Sequence, residues 1–204
     1  MFPVPRSHAR FRPNLVLSEM PILPYEPDIY PEDLLDESSE DRTGRVWWVL
    51  YTLPRREKDL LRRLRQMEIA HYGPLVRRRT RSPSGRTRQS FVPLFPSYVF
   101  MKASEEERYQ AMKTNCISRY LEVADADHLV TDLRQIQQLI ASDAPLTPEA
   151  RLESGTLVRV RSGPMMGLEG VVIRRRGEER LLVAVEFLQQ GASVLIEDFQ
   201  VEAI

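Results

Sequence analysis

From Gly155 to Ile204 the chain is written in short alternating runs, "GTLVRVRSG", "GVVIRRR", "ERLLVAVEFL", "SVLIE" and "FQVEAI", parted by glycine-bearing turns. Runs of this length and alternation suit half-buried strands and not helices. Gly163, Pro164, Gly167 and Gly170 crowd the first turn and weaken any helical alternative. A segment this short gains from closing its sheet on itself, so residues 155–204 predict a small five-stranded β-barrel. The preceding "DAPLTPEARLES", polar and with two prolines, reads as a linker over residues 143–154.

Residues 46–142 carry a different pattern. The unbroken apolar run in "RVWWVLYT" reads as a buried strand. Pro54 then suits the first turn of a helix whose Leu60, Leu61, Leu64 and Met67 share one face. "LVRRRT", "SPSG" and "RTRQSFV" predict a hairpin, and "SYVFMKA" a strand. Ser104 stands three residues before Glu107, the spacing of a capping box, and marks the start of a second helix. "ISRYLEV" is a further strand, and "TDLRQIQQLIAS" a helix with Thr131 as its expected N-cap. The expected architecture is α+β: an antiparallel or mixed sheet with helices on one face, then the linker and the barrel.

The formal net charge of zero conceals blocks of one sign. Residues 46–100 hold 12 basic and 3 acidic side chains, and such a surplus attracts phosphate polyanions. For "RREKDLLRRLR" a solvated helix face with i, i+4 partners is the simpler reading. In "RRRTRSPSGRTR" no acid is available, which favours phosphate contact by Arg77, Arg78, Arg79, Arg81, Arg86 and Arg88. Residues 1–45 instead hold six prolines before residue 28 and eight acids with no base between Glu26 and Asp41. That composition predicts a disordered, acidic, solubilising tail.

Membrane insertion and secretion are not expected: no apolar run approaches spanning length, and prolines break the N-terminal stretch where a signal peptide needs an apolar core. The single cysteine, Cys116, can form no internal disulfide, which fits a cytoplasmic chain. Catalysis is not expected either. His8, His71 and His128 have no companion at metal-ligand spacing, "GPMMGLEG" lacks the lysine of a phosphate loop, and "SEEE" points its carboxylates in different directions. No metal or cofactor is implied.

The stretch "SFVPLFPSYVFM" is the most aromatic part of the chain and lies directly behind the arginine run. Its "LFPSYVFM" resembles the Leu-Phe-Pro-Gly-Tyr-Val-Phe-Val signature of the NusG-type transcription elongation and antitermination factors, which include RfaH-like specialised paralogues. "WWVLYTLPRREKDLLRRL" resembles the opening strand and helix of that family, and "GTLVRVRSGPMMGLEGVV" its KOW motif, all in the family's order. The resemblance spans residues 46–204 and leaves the tail outside it.

The resemblance implies an N-terminal domain that grips the clamp helices of RNA polymerase through an aromatic patch, Tyr51, Phe95 and Tyr98, with basic groups facing nucleic acid in the elongation complex. It also implies a KOW barrel that recruits partners, and a monomer. Pro93 and Pro96 bracket Leu94 and Phe95 and keep them out of sheet pairing, so Phe95 is expected as an exposed apolar knob. Ser97 replaces the signature's glycine, which makes a dedicated antiterminator plausible. Leu188, Gln189 and Gln190 occupy the barrel corner that meets partners in the family. Leu188 is expected to be exposed there, since it shares strand parity with Glu186. Because glutamines stand at that corner, weak or absent binding to the termination factor is expected, and a small-subunit ribosomal protein is the better candidate. A KOW-containing RNA-binding or ribosome-associated protein that never touches polymerase is the alternative.

Overall fold

The computed structural model describes residues 26–36, 44–81, 85, 87–196 and 201–204. The first half contains β1 (Ile29–Tyr30), β2 (Val46–Thr52), α1 (Glu57–Gln66), β3 (Ala70–Tyr72), β4 (Leu75–Arg81), β5 (Thr87–Pro93), β6 (Tyr98–Ala103), α2 (Glu105–Met112), β7 (Ile117–Glu122) and α3 (Ala126–Ala141). Five of these strands form an antiparallel sheet in the order β1-β3-β6-β2-β7, and β4 with β5 make a separate two-stranded ribbon. The short strand β3, three residues after the end of α1, has no periodic signal of its own.

The apolar run of β2 divides by parity. Trp47 and Val49 enter one core cluster, Trp48 and Leu50 the other. Leu60, Leu61 and Leu64 of α1 and Ala111 of α2 fill the second cluster, whereas Leu129, Leu133, Ile136 and Leu139 of α3 fill the first. Helices therefore cover both faces and not one, because a strand without polar alternation must bury both of its faces. Two local expectations also change. Asp125, whose side chain accepts from the His128 N–H, caps α3, while Thr131 lies inside the helix with its hydroxyl on the Asp127 carbonyl. Met67 is the exposed C-cap of α1 and no part of its apolar stripe. The capping box at Ser104 and Glu107 forms as its spacing predicts.

Residues 26–36, which composition assigns to a disordered tail, pack against the first half. β1 extends the sheet beside β3, and Leu34 and Leu35 are buried in the first cluster. The Asp28 carboxylate accepts the Leu75 N–H at 2.9 Å, Arg62 pairs with Glu26 at 2.6 Å, and Arg134 of α3 donates to the Leu35 carbonyl. Two adjacent leucines and a backbone edge thus give an acidic segment enough to hold on to. The rest of the tail expectation falls on residues 1–25 and 37–43, outside the described residues, and on the short 44–45 lead into β2.

The second half contains β8 (Leu146–Glu149), β9 (Thr156–Val160), β10 (Glu169–Arg175), β11 (Glu178–Val185), a 3-10 turn (Glu186–Leu188), β12 (Gln190–Leu195) and β13 (Val201–Ala203). They pair antiparallel in the order β13-β9-β10-β11-β12-β8. The sheet has six strands where a closed five-stranded barrel is expected, and β13 and β8 stand at its edges. The extra strand comes from residues read as linker, and Pro148 is tolerated because an edge strand bonds on one side only. Gly163 and Gly167, at φ +85 and +87, supply the left-handed turn conformations between β9 and β10.

The two halves share one apolar cluster. Val158, Val160, Leu168, Leu181, Val183 and Val185 belong to it together with the apolar residues of α3. Polar bonds frame that contact: Gln135 Oε1 accepts the Glu169 N–H at 2.8 Å, Gln138 Nε2 donates to the Met166 carbonyl at 2.9 Å, and Asp132 Oδ2 accepts the Glu186 N–H at 2.9 Å.

Candidate functional site

The antiparallel register of β2 and β6 sets Tyr51 directly opposite Tyr98, with ring centroids 4.7 Å apart and planes tilted by 55°. On the other side of β2, β7 sets Arg119 opposite Tyr51, and its guanidinium carbon lies 3.7 Å from the ring centroid. A cation stacked on a tyrosine that packs on a second tyrosine forms a compact half-buried cluster at one end of the sheet. Burial pushes the Tyr98 hydroxyl above its usual range and the neighbouring Tyr51 hydroxyl adds to this; the Arg119 charge acts the other way, as to a smaller degree does Gln190 of β12 beside it. Arg119 is the member that sequence reasoning misses. Its signal exists only in the strand register, since Tyr51 and Arg119 are far apart in the chain.

The turn before β6 holds the cluster in place. The Thr52 N–H donates to the Ser97 carbonyl at 2.9 Å and the Tyr98 N–H to the Phe95 carbonyl at 3.2 Å. Ser97 adopts φ +69, a left-handed conformation, with its N–H on Glu57 Oε1 at 2.8 Å. This accounts for the glycine in the resembled signature, since a Cβ is disfavoured there by about 1 to 2 kcal/mol. Ser97→Gly is expected to raise the unfolding free energy by about 0.5 to 1 kcal/mol after the added unfolded-state entropy is counted, as measured by denaturant titration.

Phe95 is not an exposed knob. It is 1% exposed and belongs to the cluster that joins both halves. The flanking prolines keep it out of the strand ladder, as expected, but the turn directs the ring inward. Leu188 is likewise buried, at 8% exposure, in the same cluster. Strand parity fails at this point because β11 ends at Val185 and the 3-10 turn resets which side chain faces in; Phe187 is the exposed neighbour. Gln189, left-handed at φ +53, is exposed and donates from Nε2 to the Glu186 carbonyl at 2.8 Å. Beside this turn His128 Nε2 lies 3.1 Å from Glu186 Oε2 and 3.7 Å from Asp132 Oδ2. Burial raises the Asp132 carboxyl above the ordinary range, partly offset by the Glu186 N–H that it accepts.

The arginines divide by strand parity. Arg77, Arg79 and Arg81 stand opposite Phe91, Gln89 and Thr87 on one face of the β4–β5 ribbon, and Arg78 stands opposite Ser90 on the other. All four are exposed, and Arg77 pairs with Asp143 just beyond α3. Thr80 stands opposite Arg88 in the ladder, and Arg86 lies outside the described residues. A cleft of about 750 Å³ opens between the ribbon and the end of α3, lined by Leu75, Arg77, Arg79, Phe91, Ile140 and Pro145 among others.

Cys116 is buried, and its Sγ donates to Asp59 Oδ2 at 3.4 Å. Burial foremost, and then the Asp59 carboxylate, pushes the thiol up and away from the nucleophilic thiolate. Among the described residues no group of three His, Cys, Asp or Glu side chains could hold a metal ion, and no helix is long and apolar enough to cross a membrane.

The family model described as "Transcription termination factor nusG" matches residues 45–147, half of the chain. The match covers β2 to β7, α1, α2, α3 and the start of β8, and leaves β1 outside it. No curated protein sequence matches the chain. Among solved structures, "Domain interaction in Thermotoga maritima NusG" is similar at 18% identity and a TM-score of 0.42, over 78% of this chain and 97% of that one. With half of its length matched by that family's model, the chain belongs to the NusG family of transcription factors.

Proposed function

We propose that this chain is a non-enzymatic transcription elongation and antitermination factor that grips the clamp helices of RNA polymerase with Tyr51, Tyr98 and Phe95, assisted by Arg119. The observation that carries this reading is the half-buried tyrosine pair at the sheet end, stacked by a cation on one side, with Gln190 of the second half beside Tyr98. In the docked arrangement Phe95 has no face to offer, so polymerase binding requires the second half to move off the first. Leu188 is engaged within the chain by the same contact, and Gln190 lies beside Tyr98. A small-subunit ribosomal protein, the proposed KOW partner, therefore reaches them only after that movement, and Phe187 and Gln189 are the residues it meets first.

Co-purification of the full chain with RNA polymerase tests the reading. Tyr98→Ala is expected to weaken retention about tenfold, the scale of an interface aromatic. Asp132→Ala, which removes the acceptor of the Glu186 N–H, is expected to strengthen it. Equal retention of both variants and the unchanged protein would sink the proposal.

Nucleic-acid contact by the ribbon is part of the same reading. Replacing Arg78, Arg79 and Arg81 together with glutamine is expected to flatten the log-log salt dependence of elongation-complex binding by about 0.9 per lost double-strand contact. An unchanged slope assigns these arginines to solvent. Salt-dependent RNA binding without any polymerase retention would instead favour the RNA-binding alternative, which the exposed arginines also support.

A further inference from the structure

The second half of the molecule is completed by a strand that the tether between the halves donates. Residues 142–145 are all that separates the end of α3 from β8. β8 pairs with β12 through Leu146↔Val194, Thr147↔Ser193, Pro148↔Ala192 and Glu149↔Gly191. Its side chains are anchored individually. Glu149 accepts from Ser193 Oγ at 2.7 Å and from Arg175 Nη2 at 3.3 Å, Arg180 bridges Thr147 Oγ1 and Ser193 Oγ at 2.9 Å each, and Leu146 packs against the shared apolar cluster. Beyond β8 the chain crosses the sheet, where Glu153 pairs with Arg175 at 2.8 Å and Gly155 lies against the Val172 carbonyl so closely that no Cβ fits.

This geometry couples reach to pairing. While β8 is in place, four residues span about 14 Å at most. If β8 and the crossing to β9 detach, the free tether becomes residues 142–155, with a reach of about 48 Å. The strand that β8 covers, β12, is also the strand whose first residue, Gln190, lies beside Tyr98 of the first half. One strand thus carries the tether along its edge and meets the first half at its start.

We infer that β8 is a displaceable strand: a partner polypeptide that adds an extended strand to the β12 edge expels β8, lengthens the tether and frees the second half from α3 and Tyr98. Strand addition uses main-chain bonds for affinity and alternate side chains for selection. The place now held by Leu146, Thr147 and Glu149 selects a short segment with an apolar residue and, three positions on, a carboxylate to meet Ser193 and Arg175. The pairing is open to competition because it is four residues long and stands at the edge of the sheet. The inference stands independently of polymerase binding.

The test uses the full chain and a synthetic peptide of residues 144–151 as the probe strand, with spin labels on Tyr109→Cys and Glu178→Cys, since the native Cys116 is buried. The double variant L146A/E149A, which weakens the tethered strand, is expected to bind the peptide at least about tenfold more tightly than the unchanged sequence, because the tethered strand competes at an effective concentration in the millimolar range. Saturation is expected to lengthen and broaden the distance between the labels. Peptide binding with an unaltered distance overturns the coupling, and absence of binding to the double variant overturns the displaceable strand. Hydrogen exchange on the unchanged chain gives a second reading that needs no variant. The amides of Thr147 and Glu149, on the opposite parity to Pro148, and that of Glu186, bonded to Asp132, are expected to open within about threefold of one another. Exchange at Glu186 while the β8 amides stay protected overturns the inference.

Discussion

Phe95→Ala is expected to cost the folded chain about 3 to 5 kcal/mol of unfolding free energy, the range for deleting a buried aromatic ring. The ring is 1% exposed, so its removal forfeits the transfer term and leaves a cavity that the prolines around it hinder from collapsing. Denaturant unfolding of the full chain measures this, with Phe95→Leu as the milder partner variant. A loss under about 1 kcal/mol, typical of surface substitutions, returns Phe95 to the exposed position that its flanking prolines suggest. The size of the effect matters for function. A Phe95 variant that fails to bind polymerase reports on folding as much as on contact, and half-buried Tyr98 is the cleaner probe of the surface.

Acid is expected to weaken the fold through His71 by about 3 kcal/mol between pH 6.5 and 4. His71 is fully buried in β3; its Nδ1–H donates to the Ile69 carbonyl at 2.7 Å, its ring stacks on Tyr30 at 6.0 Å, and Nε2 has no partner among the described residues. Burial, with a smaller contribution from Arg65, depresses its pKa from 6.5 to about 4, while the bond to Ile69 opposes the shift. The imidazole is therefore neutral in the folded chain, whereas the unfolded chain takes up the proton first as pH falls. Stability from this group is fully present above pH 6.5 and is lost as pH approaches 4, at about 1.4 kcal/mol per pH unit. His71→Gln removes the titrating group. Its unfolding free energy should fall less steeply than that of the unchanged chain between pH 6 and 4.5, and equal slopes would falsify the assignment.

Local chemistry was legible wherever the signal lies within one element. The capping box at Ser104, the ribbon around "SPSG", the strand of "RVWWVLYT" and the short strands after Gly155 follow from spacing, turn residues and alternation. Those rules act over a few residues, so neighbours in the chain suffice to state them. The family signature was legible for the same reason, and Ser97 shows what its glycine position demands: a left-handed backbone.

What the sequence could not reveal is every contact that depends on distant partners. The composition of residues 26–36 argues for disorder, yet Leu34 and Leu35 find burial in a cluster that α3 completes. "LTPE" carries no strand signal, but an unpaired β12 edge supplies one. Leu188 follows strand parity in the sequence until a three-residue turn redirects it.

By itself, then, the sequence determined the elements that carry a periodic or capping signal, the family and the positions of the tyrosines and arginines, because propensity, capping and periodicity are local. Only the tertiary structure decided that Phe95 and Leu188 turn inward, that Arg119 stacks on Tyr51, and that the tether is a strand. Burial is set by which surfaces meet after the chain has folded back on itself. The same apolar side chain is a knob or a core residue according to whether another half of the molecule lies over it.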